Sequence, residues 1–203
     1  MILTFSGSDG SGKSTLSKLV FEELQHDGFD VEYQRGFEHF LLNIIITLLG
    51  GKIEPMRDTF MTRTITKPSY YRLWPYLVWV DSVLRLVYLK IFKKNKLVIF
   101  DRYVLDFLVS WEYFGYGNAI LRKLFLLIPK PDISFIIDAP AETTYGRSKF
   151  DHKFPFYFYV VQRKRYLVLA KILKINVILT TNPINETLNE ILCEIKKVVI
   201  PKK

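Results

Sequence analysis

Gly7-Ser8-Asp9-Gly10-Ser11-Gly12-Lys13-Ser14 follows the apolar run Ile2-Leu3-Thr4-Phe5 and opens a segment with helical periodicity. The eight residues read as G-x-x-x-x-G-K-[ST], a phosphate-cradling loop between a strand and a helix. Gly7, Gly10 and Gly12 let the backbone take φ > 0 and bring its N–H groups close to phosphate oxygens. Lys13 offers a mobile positive charge to the β- and γ-phosphates, and the Ser14 hydroxyl suits Mg²⁺. The helix that follows turns its positive end toward the same anion. Ser8, Asp9, Ser11 and Thr15 complete the stretch expected to touch the ligand. The loop therefore predicts a nucleoside triphosphate site.

Outward from the loop, 203 residues suffice for one α/β domain and are awkward for two. A hydrophobic fraction of 49% supports a large core and excludes global disorder. The single cysteine, Cys193, cannot close an internal disulfide. The first residues show no basic segment or cleavage site, and their apolar run is used at once as a strand. No uncharged apolar run approaches the roughly 18 residues of a spanning helix. The expectation is a soluble, cytoplasmic protein. A formal charge of +9 fits a partner carrying phosphates: a nucleotide, a nucleic acid or an anionic membrane surface. Lys90, Lys93, Lys94 and Lys96 read instead as a solvated helix end, so nothing firm points to nucleic acid.

Leu16, Leu19, Val20 and Leu24 recur at helical spacing to about Gln25, and Val31 to Arg35 reads as a second strand. Ligands of parallel sheets bind beyond the carboxyl ends of strands, which makes Arg35 an acceptor-site candidate. Phe40 to Leu49 suits a buried helix, and Ser69 to about Lys94 one long helix carrying Trp74, Tyr76, Trp79 and Tyr88. Rings such as Trp79 are candidates for stacking on a base. Asp81 and Arg85 interrupt the apolar positions of that helix and argue against its lying on a membrane. Leu97 to Phe100 is a buried strand that delivers Asp101-Arg102-Tyr103 to the functional edge. A carboxylate and a guanidinium at a strand end are costly unless used. Asp101 therefore goes to the Mg²⁺ shell and Arg102 to a phosphate, for which its planar fork is suited.

Residues 103 to 127 hold two apolar helical segments broken at Gly115-Tyr116-Gly117. Ile133 to Ile137 is a strand ending in Asp138, a short helix runs to Arg147, and a basic irregular loop extends to Pro155. Asn176 to Thr181 makes a fifth strand, and Ile184 to Ile195 a last amphipathic helix. His152 has no partners at ligand spacing for zinc, and no G-x-S-x-G elbow suggests a hydrolase. Neither repeats nor linkers divide the chain, so 1–203 is expected to be one domain.

These residues resemble the thymidylate kinase family of P-loop nucleotide kinases along nearly the whole chain. The family's F-x-G-x-D-G-x-G-K-[ST] opening is met by Phe5, Gly7, Asp9, Gly10, Gly12, Lys13 and Ser14, and its D-R-[YH] by Asp101-Arg102-Tyr103. Pro131-Asp132, Asp138 and Glu142 to Arg147 resemble its later strand-and-helix pattern, and Arg163, Tyr166, Leu169 and Ala170 match R-x-x-Y-x-x-L-A. The resemblance implies an α/β protein: a three-layer α/β/α P-loop kinase fold with a five-stranded parallel sheet and a small basic lid at about 147–156. It implies ATP as phosphoryl donor, with Mg²⁺, and a small phosphorylated acceptor. Arg102 would hold the acceptor phosphate, and Asp9 would face the acceptor sugar and the metal. Arg147 would lie against the adenine, while Lys149 and Lys153 would be catalytic lid cations beside Lys13, Arg102 and Asp9. Tyr103 and Asp106 join Asp9, Arg35, Trp79 and Arg102 on the acceptor side.

The departures fall on that acceptor side. Ser82 stands where the family usually has an arginine, Asp106 to Ser110 replaces S-x-x-A-[YF], and Arg35-Gly36-Phe37-Glu38 is all that remains of R-E-P-G-G-T. Three readings stay open at this point. One is a nucleoside monophosphate kinase for thymidylate. Another is a kinase of the same fold with a different small acceptor, and the last is a nucleotide-gated module binding nucleic acid or membrane. Exposed apolar helices leave a homodimer open.

Overall fold

The computed structural model describes residues 1–35, 74–94, 96–113, 115, 117–148 and 154–199. The helix expected over Phe40 to Leu49, Glu38, and the lid residues Lys149, His152 and Lys153 lie outside the described residues.

Five strands form one all-parallel sheet in the order β2-β3-β1-β4-β5. They are β1 (Ile2–Ser6), β2 (Val31–Arg35), β3 (Leu97–Asp101), β4 (Ile133–Asp138) and β5 (Asn176–Leu179). The register sets Phe5 beside Asp101 on one flank and Phe135 on the other, and sets Arg35 beside Asp101. Chain-distant functional groups therefore finish together at one edge. β1 and β3 are buried at every position because helices cover both faces. Alternation then decides which layer each side chain meets. Leu3, Phe5, Ile99, Phe135 and Ile137 pack against α1 (Lys13–His26) and the last helix, α7 (Ile184–Val199). Ile2, Val98, Phe100 and Ile136 pack on the opposite face. That face is covered by α2 (Trp74–Phe92), α3 (Val104–Tyr113), α4 (Ala119–Leu126) and α6 (Phe156–Leu173). The short α5 (Ala141–Arg147) follows β4. This is the expected three-layer α/β/α arrangement.

Local chemistry explains the boundaries. In α1, Leu16, Val20 and Leu24 fall four residues apart on one buried stripe, and Asp27 and the left-handed Gly28 (φ 83°) stop the helix. Asn118 caps α4 by accepting the Leu121 N–H at 2.7 Å. The short helix α5 ends at Arg147 as expected. Two expected boundaries change. The long helix ends at Phe92 rather than Lys94, and its described part begins at Trp74. β5 stops at Leu179 rather than Thr181, because Thr180 turns its hydroxyl to the Ser11 carbonyl at 2.8 Å.

α2 presents an uninterrupted apolar outer face: Leu77, Val80, Leu84, Val87 and Ile91 are all exposed. Asp81 is buried and Arg85 half-buried, so the two charges expected to break that face point elsewhere. Among the described residues, no helix is long and apolar enough to cross a membrane.

Candidate active site

Between β1 and α1 the chain reverses over the carboxyl edge of the sheet. A Cβ on Gly7 (φ 153°) would lie 2.3 Å from the Ile137 carbonyl oxygen, and one on Gly10 (φ 80°) 2.5 Å from that of Thr144. Only glycine lets the loop lie this close to β4 and α5. Gly12 (φ 92°) precedes the first turn of α1. Ser8 and Ser11 are buried, whereas Ser14 and Thr15 are exposed at the start of the helix. The loop is braced from behind: Thr180 bonds Ser11, and Arg147 donates to the Thr180 hydroxyl and carbonyl at 3.3 and 3.2 Å. Arg163, on α6, grips Asp138 with two nitrogens at 2.9 Å.

The Lys13 ammonium is 3% exposed and donates to the Ser8 carbonyl at 3.1 Å, with the Asp9 carboxylate at 3.5 Å. Burial first, and Arg102 second, hold its pKa below the ordinary lysine value. The same Asp9 oxygen, Oδ1, also accepts a hydrogen bond from Arg102. A carboxylate thus sits between two cations, one from the loop and one from β3. Burial opposes the Arg102 charge, but Asp9 and Asp106 more than offset it and raise the guanidinium above its usual value. Arg102 takes φ 81°, a left-handed backbone unusual for a residue with a side chain, while its N–H bonds the Phe5 carbonyl at 2.9 Å. That turn sends the side chain from the sheet toward the glycine loop.

The carboxylate expected beside an acceptor, Asp106, is instead sealed in the core at 1% exposure. It accepts the Tyr103 N–H at 2.9 Å, the Tyr166 hydroxyl at 2.9 Å and the Gly7 N–H at 3.4 Å, with Arg102 at 3.9 Å. Asp106 thus ties the glycine loop to β3 and α6, and its influence on a ligand runs through Gly7 and Arg102. Burial and then Asp106 raise the Tyr166 pKa well above that of a free phenol. The Trp79 indole N–H bonds the Leu124 carbonyl at 2.7 Å, which fixes the half-buried ring against α4. Tyr103 bonds the Pro129 carbonyl at 3.2 Å, and Arg35 is exposed where β2 ends.

Asp101 is 5% exposed; one of its oxygens accepts the Tyr33 hydroxyl at 3.1 Å, and the other is buried without a hydrogen-bond partner. An orphan carboxylate oxygen at a strand end fits a hard cation that takes few protein ligands. Ser17 and Tyr33 share a 3.1 Å hydrogen bond that holds the phenol in place. Among the described residues no group of three or more His, Cys, Asp or Glu could hold a metal by itself. The fit is therefore to Mg²⁺ carried with phosphates rather than to an all-protein site.

Beside Arg102 lies a pocket lined by Ser82, Arg85, Phe100, Tyr103, Val104 and Phe107. Arg85 and Gln34 were not expected here. The alternation in Val31-Glu-Tyr-Gln-Arg35 puts Glu32 and Gln34 on one face, a signal that could have paired them with a charge on a covering helix.

No family model matches the chain. It is 30% identical over 181 residues to the probable thymidylate kinase of Sulfolobus acidocaldarius, covering 84% of this chain and 82% of that protein. It is 27% identical over 202 residues to the probable thymidylate kinase 1 of Saccharolobus solfataricus, covering 97% of each. The crystal structure of thymidylate kinase from Ehrlichia chaffeensis superposes with a TM-score of 0.61 and 24% identity, over 96% of this chain and 98% of that one. That likeness establishes a shared fold.

Proposed function

The chain belongs to the thymidylate kinase family, and is on that account a nucleotide kinase; we propose that it transfers the γ-phosphoryl group of ATP to dTMP, yielding dTDP. The observation that carries the reading is the Lys13–Asp9–Arg102 chain, which joins a triphosphate loop to an arginine beside a second pocket. Phosphoryl transfer asks for positioning and charge neutralisation more than for covalent chemistry by the protein. Loop N–H groups and Lys13 bind the donor phosphates. Arg102 holds the acceptor phosphate in line, and Asp9 orients both cations before either ligand arrives. Ser14 and Asp101 would hold Mg²⁺, which supplies further neutralisation of the transferring group. Arg147 would lie against the adenine, and Lys149 and Lys153 would supply further cations for the transferred group. A cytoplasmic homodimer joined through the apolar face of α2 belongs to the same reading, and light scattering checks its mass.

A panel of acceptors with ATP and Mg²⁺ tests the function. Turnover of dTMP ahead of other nucleoside monophosphates and of thymidine is the expected result. Preference for another acceptor replaces dTMP, and no turnover of any acceptor sinks the kinase reading.

A further inference from the structure

A cavity of about 320 Å³ opens where β4 and β5 begin, between the ends of α4, α6 and α7. That volume is the low end of small-molecule sites and many times that of a water. Its walls are apolar: Leu105, Phe125, Ile128, Ile133, Leu173 and Ile175. Tyr103 lines it as well, with its hydroxyl spent on the Pro129 carbonyl at 3.2 Å. Tyr103 and Val104 also line the small pocket beside Arg102, but no other lining residue belongs to the proposed active site. The charged side chains lining the cavity number four. Asp132 accepts the Ile2 N–H at 2.7 Å and Glu194 the Lys197 ammonium at 2.5 Å, so both carboxylates are engaged. Lys130 and Lys174 are exposed, and among the described residues neither ammonium has a partner. Lys174 closes α6 with a left-handed backbone (φ 55°) that glycine would take without strain, so the turn itself does not require a lysine. No arginine lines the cavity, and Pro129 and Pro131 have no N–H to give. The lining therefore lacks the guanidinium fork and the row of N–H groups that hold phosphates.

We propose that this cavity binds a small apolar carboxylate, its chain or ring packed on Phe125, Ile128 and Leu173 and its single negative charge met by Lys130 and Lys174. The inference goes beyond the kinase reading and does not depend on the identity of the acceptor. Burial of the apolar body supplies most of the binding. The two ammoniums, point charges on flexible stems, select the sign of the head group. A neutral or cationic amphiphile of the same length suits the walls but not the lysines.

Calorimetric titration of octanoate, octanol and octylammonium into the full chain tests the assignment. Octanoate is expected to fill a single site with a Kd below about 1 mM, at least about 3-fold tighter than octanol, with octylammonium weaker again. Its advantage over octanol shrinks as salt is added. Ile175→Trp fills the cavity and removes binding of all three. Lys130→Gln combined with Lys174→Gly removes the preference for octanoate while octanol affinity stays within about twofold. Glycine relaxes the left-handed turn at 174, so this pair melts no lower than wild type and keeps the test open even where Ile175→Trp does not fold. The proposal is overturned by the absence of saturable heat with octanoate, by octanol binding as tightly, or by a preference that survives in the lysine variant. Octanoate affinity unchanged in folded Ile175→Trp overturns it too. So does octanoate binding that appears only after residues 200–203 are removed, which would make the end of this chain the occupant.

Discussion

On the donor side of the proposed cleft the groups assigned to binding are main-chain N–H groups and one lysine from a single run, Gly7 to Ser14. On the acceptor side the pocket is lined by side chains brought by α2 and β3, steadied from β2 and α6. Backbone donors need only the right turn, and glycine contacts such as Gly7 against Ile137 dictate that turn. Side-chain donors need their neighbours as well. The acceptor side is accordingly full of supports: Asp106 for Arg102, Tyr166 for Asp106, Gln34 for Arg85. The donor half leans on Thr180 and Asp106 as well, but its own groups come from one run, whereas the acceptor half is open to retuning from several elements at once.

Substitutions in the two halves test that contrast. The largest expected effect is Lys13→Ala, which removes the donor cation and lowers kcat by at least about 10²- to 10³-fold, read by a coupled assay. A residual rate near wild type would break the donor half of the comparison. Arg102→Ala comes next, with kcat reduced and acceptor KM raised together, about 10²-fold in kcat/KM, because it touches the acceptor in ground and transition states. Tyr166→Phe is milder. It removes one donor from the buried Asp106 carboxylate, costs about 1–2 kcal/mol in denaturant unfolding, and raises acceptor KM more than ATP KM. Equal rises would show that the support is shared by both halves.

The smallest effect concerns pH. Burial and Arg102 depress the Lys13 pKa in the folded chain below its unfolded value near 10.5. Between those two values the unfolded chain holds a proton that the native chain has released, so nucleotide-free stability rises with pH through that alkaline window. At neutral pH the buried charge is a net cost. Lys13→Met should therefore melt slightly higher than wild type without nucleotide and lose the alkaline rise in stability. An unchanged slope in a pH series of melts would contradict it.

This division also explains what the sequence disclosed. All five strands and the loop were legible because their signals are contiguous: largely apolar runs for four strands, the alternation of Val31 to Arg35 for β2, and glycines at fixed offsets from a lysine. Arg102 was legible because it closes one of those runs. Arg85 and Gln34 were not, since one sits in an apolar helix and the other mid-strand, 51 residues apart, and only the crossing of α2 over β2 joins them. The partners of Trp79 and Asp106 were hidden for a related reason. Both lie near the functional edge in sequence order, but the indole found a carbonyl on α4, and the carboxylate found donors from three elements inside the core. Periodicity tells which way a residue faces, not what waits there.

The left-handed backbone at Arg102 has an evolutionary corollary. A glycine would occupy that conformation without penalty, so Arg102→Gly would relieve local strain in the same step that removes the cation proposed to hold the acceptor phosphate. The strain relieved is set against the loss of the Arg102 pairings with Asp9 and the buried Asp106. A lineage released from selection for kinase activity should shed this arginine early, and its persistence in an orthologue is then a readout that the reaction is still being demanded of the protein.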